Sequence, residues 1–369
     1  MARAVEDATA KIVRAILQVG PSNYSLISRL TGVPPETVRY KIKEQLGRKG
    51  ISLHALVDTS KLGLRRHIVQ MRFTDKFKPY ARTILQALHD LAYLTYYSGQ
   101  LLTNEYYTIF NVPEEYQREF HEMIDEMATL EIIEKYKIRP VFWTNYVSLR
   151  PEYFDFRAGT FDVDLKNLEL IERPPDPTYE TRSEKIKIDH YDVTIVAALQ
   201  KNALSTIAEI AREAKFHEKT AQYHYTQHVM GEGLISRYVV NWIGDIESIR
   251  SNFVIYQRYM IENPTQKELD NARIVFNTLP FLWTEILTFN RDLYVVEMAV
   301  PVDLYLSTQY FLYEHLLNKG EKLITRLIDP INSMPFTIPK SLFDPERNAW
   351  IFPIDENKKK LRALAQRVK

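Results

Sequence analysis

The sequence predicts an α+β protein in which a three-helix unit with a short wing, followed by a β-α-β-β-α-β block, occurs twice in tandem. Three observations predict it. The chain matches itself at an offset of 183 residues. Its apolar residues pass from helical to alternating spacing in the same order in both copies. A glycine, Gly50 or Gly233, stands at the same point of each.

Residues 12–58 lie on residues 195–241 without a gap. Ile12/Ile195, Val13/Val196, Ala15/Ala198, Ser22/Ser205, Ile27/Ile210, Arg29/Arg212, Thr37/Thr220, Tyr40/Tyr223, Gly50/Gly233 and Val57/Val240 are identical. These matches fall at helical spacing or at turns, as duplication of one fold leaves them.

In copy one the pattern predicts helices over 8–18, 24–31 and 35–46. Pro35 stands where a helix can begin, because a first-turn proline lacks only an N–H that has no helical partner. Gly50 then stops the chain, and 51–57 alternates like a small strand. Copy two gives helices over 189–200, 206–214 and 218–230, then Gly233 and a wing over 234–240. This is a winged helix-turn-helix.

The second block of copy one reads as strand 65–74, helix 78–91, strands 93–98 and 105–112, helix 114–130 and strand 132–147. Copy two repeats that order over 253–261, 266–279, 281–289, 293–300, 303–318 and 322–329. Such an order predicts a four-stranded antiparallel sheet with both helices on one face, a ferredoxin-like sandwich. The domain division follows: winged helix-turn-helix 1–64, sandwich 65–147, connector 148–186, second winged helix-turn-helix 187–248, second sandwich 249–338 and extension 339–369.

The connector carries nine acids between Glu152 and Glu184 against four bases, a net charge of −5, so it reads as an acidic strap. Phe154, Phe156, Phe161 and Val163 are its expected anchors. Phe343, Trp350, Ile351, Phe352 and Ile354 give the C-terminal extension the same aromatic texture. The duplicated unit is therefore expected to run past the sandwich in both halves.

Composition excludes several classes. With 369 residues the chain has room for two or three domains. Zero cysteines exclude disulfides, thiolate metal sites, iron–sulfur clusters and cysteine nucleophiles. No apolar run approaches the ~20 residues of a membrane helix, and the first residues lack a signal-peptide core, so the expected location is cytoplasmic without membrane contact. No Ser–His–Asp grouping, P-loop or dinucleotide fingerprint appears. The expectation is a protein that is not an enzyme and has no catalytic residue, cofactor or metal.

The motif residues of copy one are Ile27-Ser-Arg-Leu-Thr-Gly-Val33, Glu36-Thr-Val-Arg39 and Lys49-Gly-Ile51, followed by Asp58-Thr-Ser-Lys-Leu-Gly63. Copy two offers Glu209-Ile-Ala-Arg-Glu-Ala214, Lys219-Thr220 and Gly233-Leu-Ile235. Together with the element order, they resemble the Lrp/AsnC (leucine-responsive regulator) family of transcription factors. The resemblance implies a sequence-specific regulator bound to double-stranded DNA. It also implies paired sandwiches, here either an intramolecular pseudo-dimer or a homodimer. That family often has a glycine–aspartate turn between the middle strands; here Gly99 and Asp292 each keep one half of it.

On the third helix Val38, Ile42 and Leu46 form the inner stripe, leaving Glu36, Arg39, Tyr40 and Lys43 outward. In a helix-turn-helix the start of this helix meets base edges in the major groove. Arg39 is suited to a guanine, and Lys41, Lys43, Arg48 and Lys49 to phosphates. Residues 8–50 carry eight bases against two acids, +6 in a chain whose net charge is +1. Copy two is neutral over 187–240, and its outward residues are Lys219, Gln222, Tyr223 and Thr226. It reads as a weaker second reader or as a copy kept for packing.

His224-x-x-x-His228 puts two imidazoles on one helical face, a spacing that can hold a metal. No carboxylate–histidine motif accompanies it, and the expectation is a polar or DNA-facing surface. The tail 358–369 carries six bases and no acid, so it either touches DNA or packs on a sandwich. Tyr96, Tyr97, Tyr106, Tyr107, Trp143 and Trp283 read as sheet packing.

Two alternatives remain open. One is an architectural DNA-coating protein or a module docking on the transcription machinery. The other is an enzyme similar to the sirohaem decarboxylases, which also place a helix-turn-helix-like part before a ferredoxin-like domain. For that family's basic and histidine–tyrosine segments this chain has Gly50-Ile-Ser-Leu-His54 and Thr95-Tyr-Tyr-Ser98, which do not reproduce them. Arg65, Arg66 and His67 would have to form the anion site.

Overall fold

Each copy opens with three helices whose ends are set by caps. In the computed structural model, which describes residues 7–179, 186–242, 254–320 and 322–367, α1 (Ala8–Val19) starts where the Asp7 carboxylate accepts the Thr9 N–H at 2.7 Å. It buries Ile12, Val13 and Ile16. α2 (Tyr24–Thr31) is capped by Asn23 and stops at Gly32, whose φ of +70° is the left-handed turn that glycine adopts without strain. α3 (Pro35–Tyr40) continues through a π-helical turn, Lys41–Gln45, into Leu46–Arg48. Val38, Ile42 and Leu46 are fully buried beneath it. The wing is β1 (Ser52–Val57).

The first sandwich is β2 (Leu64–Phe73), α4 (Ala81–Ala92), β3 (Leu94–Gln100), β4 (Glu105–Pro113), α5 (Gln117–Thr129) and β5 (Ile133–Tyr146). The connector contributes the short strands β6 (Phe154–Asp155), β7 (Thr160–Phe161) and β8 (Thr178–Tyr179). In copy two, α6 (His190–Lys201) opens on a capping box between Asp189 and Asp192. α7 (Ile207–Ala214) opens on another between Thr206 and Glu209. α8 (Glu218–Tyr223) runs on as a π-helical turn, His224–Met230, before β9 (Ile235–Asn241). The second sandwich is β10 (Val254–Glu262), α9 (Gln266–Thr278), β11 (Leu282–Thr288), β12 (Leu293–Pro301), α10 (Tyr305–His315) and β13 (Ile324–Pro335). β14 (Phe343–Asp344), β15 (Ala349–Trp350) and α11 (Ile354–Gln366) end the chain.

The ferredoxin-like order of both copies is present, but the two sheets are not separate. The order β11-β12-β10-β13-β3-β4-β2-β5 is closed by β5 on β11, an eight-stranded barrel, with β8 added outside β5. The last strand of each sandwich makes the seam. β5 pairs with β2 of its own half through Pro140, then with β11 from Val141 to Tyr146. β13 pairs with β10 up to Leu327, then with β3 from Ile328 onward. Four edge strands that would otherwise expose unpaired N–H and C=O groups are thereby satisfied. The wings also pair, β1 antiparallel to β9 from Ser52↔Asn241 to Leu56↔Arg237.

Eight strands leave room inside only for side chains. Ile68, Ile109, Val141, Met260, Ile286, Leu293 and Val295 supply an apolar lining. Among them lies a buried ion pair: Arg258 Nε donates to Glu297 Oε1 at 3.0 Å, and their side chains are 2% and 8% exposed. The guanidinium also donates to Ser98 Oγ of the first half and lies 3.9 Å from the Tyr107 ring centre. Tyr96, also from the first half, donates to Glu297 at 3.3 Å. The sheet-packing tyrosines therefore divide: Tyr96 and Tyr107 face the barrel, whereas Tyr97 and Tyr106 belong to the helix-side core.

The two extensions cross over. Phe161 of the connector hairpin packs on Trp242 and Phe281 of the second half, with ring centres at 4.9 and 5.7 Å. Trp350 of the C-terminal hairpin donates to the Leu62 carbonyl at 2.8 Å, and Tyr93 donates to the Ile351 carbonyl at 2.6 Å. α11 lies on α5, where Lys358 meets Glu122 at 3.0 Å and Arg362 meets Glu126 at 2.7 Å. Two of the tail's bases are thus neutralised by the first sandwich. Glu180, Arg182 and Glu184 of the connector lie outside the described residues, as do Val368 and Lys369 of the tail.

Removing one partner of a buried ion pair strands the other's charge. Glu297→Ala is expected to lower unfolding free energy by about 3–5 kcal/mol, and Arg258→Met with Glu297→Met by less. Urea unfolding of the three proteins measures this; equal losses in the single and double variants contradict it.

Candidate nucleic-acid interface

The reading helix of copy one presents Glu36, Arg39, Tyr40 and Lys43 on its exposed side, with Tyr40 55% exposed. Among the described residues, neither Arg39 nor Lys43 makes a hydrogen bond or ion pair. Three bases expected at phosphates are placed differently. Lys41 turns inward, donating to Thr9 Oγ1 and Gln45 Oε1, each at 2.8 Å. Its position follows the buried Val38 by three residues and so faces α1 rather than solvent. Lys49 donates to the Arg157 carbonyl at 3.3 Å, and Arg48 pairs with Glu44 at 3.4 Å on the surface.

In copy two Lys219, Gln222, Tyr223 and Thr226 are all exposed along one face except where Gln222 donates to Thr226 Oγ1 at 3.2 Å. The two units are neighbours. The carboxyl of Glu209 is held below the usual carboxylate range, first by the Thr206 N–H and hydroxyl, and further by the nearby Lys43 and Arg212 charges. Lys43 of one reading helix therefore lies close to the start of α7 in the other copy.

The histidines of copy two have a carboxylate partner that the sequence reading missed. Asp192, fully buried on α6, meets His224 Nδ1 through Oδ1 at 3.0 Å and His228 Nδ1 through Oδ2 at 3.1 Å. These three donor atoms lie within 4.8 Å of one another and form the one set with metal-ligating composition and spacing among the described residues. The partner comes from another helix, 32 residues before His224. Only the copy-to-copy alignment, which sets Asp192 on Thr9 and His224 on Lys41, signals it in the sequence.

Arg65, Arg66 and His67 do not converge on an anion. They are consecutive on β2, so their side chains alternate across the sheet. Arg66 enters the barrel, donating to Asn111 Oδ1 at 3.2 Å and Thr144 Oγ1 at 2.9 Å. His67 packs under Phe120 of α5, ring centres 5.4 Å apart, and Arg65 lies over Phe289 at 5.8 Å. The divided glycine–aspartate turn is structural too: Asp292 accepts Arg139 Nε at 2.9 Å across the seam, and Gly99 pairs with Asp329 on β13.

No helix among the described residues is long and apolar enough to cross a membrane. The sequence matches no protein-family model, and no curated protein matches it. Solved structures do share the fold. Siroheme decarboxylase NirDL in co-complex with an iron-uroporphyrin III analogue superimposes with a TM-score of 0.55 at 11% identity, over 98% of this chain and 100% of that one. A second structure of NirDL gives a TM-score of 0.56 at 11% identity, over 97% and 99%. AsnC of E. coli covers 37% of this chain and 92% of its own, with a TM-score of 0.30 at 18% identity. The chain is thus an α+β protein that shares the whole-length fold of the two NirDL structures, and its two ferredoxin-like sheets form one closed barrel.

Burial pushes the His67 imidazole down to about 4. Between that value and the unfolded value of ~6.5, the unfolded chain binds a proton that the folded chain does not. Stability is therefore expected to fall as pH drops through this window, by up to about 3 kcal/mol from this residue. Urea unfolding at several pH values checks the slope, which His67→Phe should flatten.

Proposed function

We propose that the chain binds double-stranded DNA and regulates transcription, reading the major groove mainly with its N-terminal helix-turn-helix. The observation that carries this is the exposed pair Arg39 and Lys43, with Tyr40 and Glu36 beside them, on the helix that such units place in the groove. A bidentate arginine–guanine contact discriminates by about 1–3 kcal/mol. The exposed bases of this unit, Arg39, Lys43 and Arg48 among them, supply attraction to phosphate. The second unit adds a neutral hydrogen-bonding face at Lys219, Gln222, Tyr223 and Thr226. Wing pairing holds the two unequal readers together, which favours an asymmetric operator.

A second reading is binding or decarboxylation of an iron tetrapyrrole. One observation favours it: two structures that match over the whole length are of a siroheme decarboxylase, one of them in co-complex with an iron-uroporphyrin III analogue. The divergence of Arg65, Arg66 and His67 removes the anion site first considered for it. This reading therefore rests on the shared fold.

One experiment separates the two. Genomic fragments are selected with the purified protein at about 50 and 200 mM salt, in parallel with Arg39→Ala/Lys43→Ala. A DNA reader is expected to recover a shared motif that the variant loses, and the variant's salt slope should fall by up to about 2 if both cations meet phosphate, or about 1 if Arg39 reads a base. Retention of all fragments alike points to DNA coating. Failure to retain DNA, together with a spectral shift when iron uroporphyrin is added, would replace the first reading with the second.

A further inference from the structure

The two copies build the same internal position with different chemistry. In copy one it holds a cation that belongs to the chain: the Lys41 ammonium sits between Thr9 and Gln45, 2.8 Å from each oxygen. An offset of 183 residues carries Thr9 to Asp192, Lys41 to His224 and Gln45 to His228. Copy two therefore lacks the ammonium and has a carboxylate and two imidazoles around the same place.

We propose that this position in copy two binds a divalent transition-metal ion of the zinc or cobalt type, with Asp192, His224 and His228 as ligands. Imidazole nitrogen and carboxylate oxygen suit such ions. Ligand bonds of about 2.0–2.2 Å set neighbouring donors of a tetrahedral site roughly 3.3 Å apart. The two histidine–carboxylate separations, 3.0 and 3.1 Å, are already close to that spacing.

Charge argues the same way. Asp192 is 0% exposed, and no lysine or arginine pairs with it among the described residues. A carboxylate so placed needs compensating charge, because burying an isolated one costs many kcal/mol. A divalent cation supplies such charge and uses the same nitrogens.

The surroundings fix the ligands. Asp192 Oδ2 accepts the Asp189 N–H at 3.1 Å, and the His224 ring stacks on Tyr191 with ring centres 4.7 Å apart. The His228 side chain is 32% exposed, which gives an ion a way in and leaves a coordination position facing solvent. Both histidines lie on the π-helical turn that continues α8, so the ion would tie the reading helix of copy two to α6. Copy one makes that tie with Lys41.

The test uses the full chain, treated with chelator and desalted, then titrated at neutral pH with Zn²⁺ by calorimetry and Co²⁺ by visible absorption. The expected result is one equivalent of each per chain, competition between them, d–d bands for Co²⁺ and a raised melting temperature with Zn²⁺. His228→Gln should weaken binding more than about tenfold. His224→Lys should abolish the Co²⁺ bands. Asp192→Thr/His224→Lys/His228→Gln, which rebuilds the copy-one arrangement, should fold without metal and bind none, so that loss of binding is not confused with loss of fold. Wild-type chain that takes up no stoichiometric Zn²⁺ or Co²⁺ overturns the proposal, as does a rebuilt variant that binds like wild type. None of these readouts depends on DNA or tetrapyrrole binding.

Discussion

One guanidinium buried in the barrel joins its two halves. Arg258 rises from the second half, is neutralised by Glu297 on the neighbouring strand and donates to Ser98 from the first half. Tyr96 and Tyr107, also from the first half, complete its surroundings. A charge in the barrel interior is tolerable only if all of these partners stay in place. Their staying in place requires the register of β13 on β3 and of β5 on β11 to be kept. The seam must therefore be kept for this pair to stay satisfied, and the paired wings join the two helix-turn-helix units.

Much of this architecture was legible because it is written locally. Helical spacing, the glycines at Gly50 and Gly233 and the offset of 183 residues identify the units and their order without reference to how the halves pair. Barrel closure was not legible, because a strand that pairs with its own sandwich and then with another has one alternating pattern throughout. Nothing in residues 133–146 marks Val141 as the place where β5 changes partners. Long-range pairing is decided by which edges remain unsatisfied, a property of the folded halves.

The candidate site shows the same division. That Arg39, Tyr40 and Lys43 face outward was legible because the buried stripe of Val38, Ile42 and Leu46 fixes the opposite face of the helix. Lys41 was misplaced because charge was counted without asking where the residue points; its ammonium reaches Thr9 on α1. Asp192 was missed for the converse reason, since a lone acid in the first turn of a helix reads as a cap. It is part of a cap through Oδ2, the oxygen that also meets His228, and its other oxygen meets His224.

The crossed extensions bear on how the chain is made. The first sandwich keeps Tyr93, Leu62 and one face of α5 uncovered until the segment carrying Trp350, Phe352 and α11 arrives, and that segment is made after the whole second sandwich. The first half therefore leaves the exit tunnel with an apolar face unfinished and must wait for the second half to be made before it is covered. Two halves that read as independent beads are in this respect one folding unit, in which residues beyond the second sandwich complete the first.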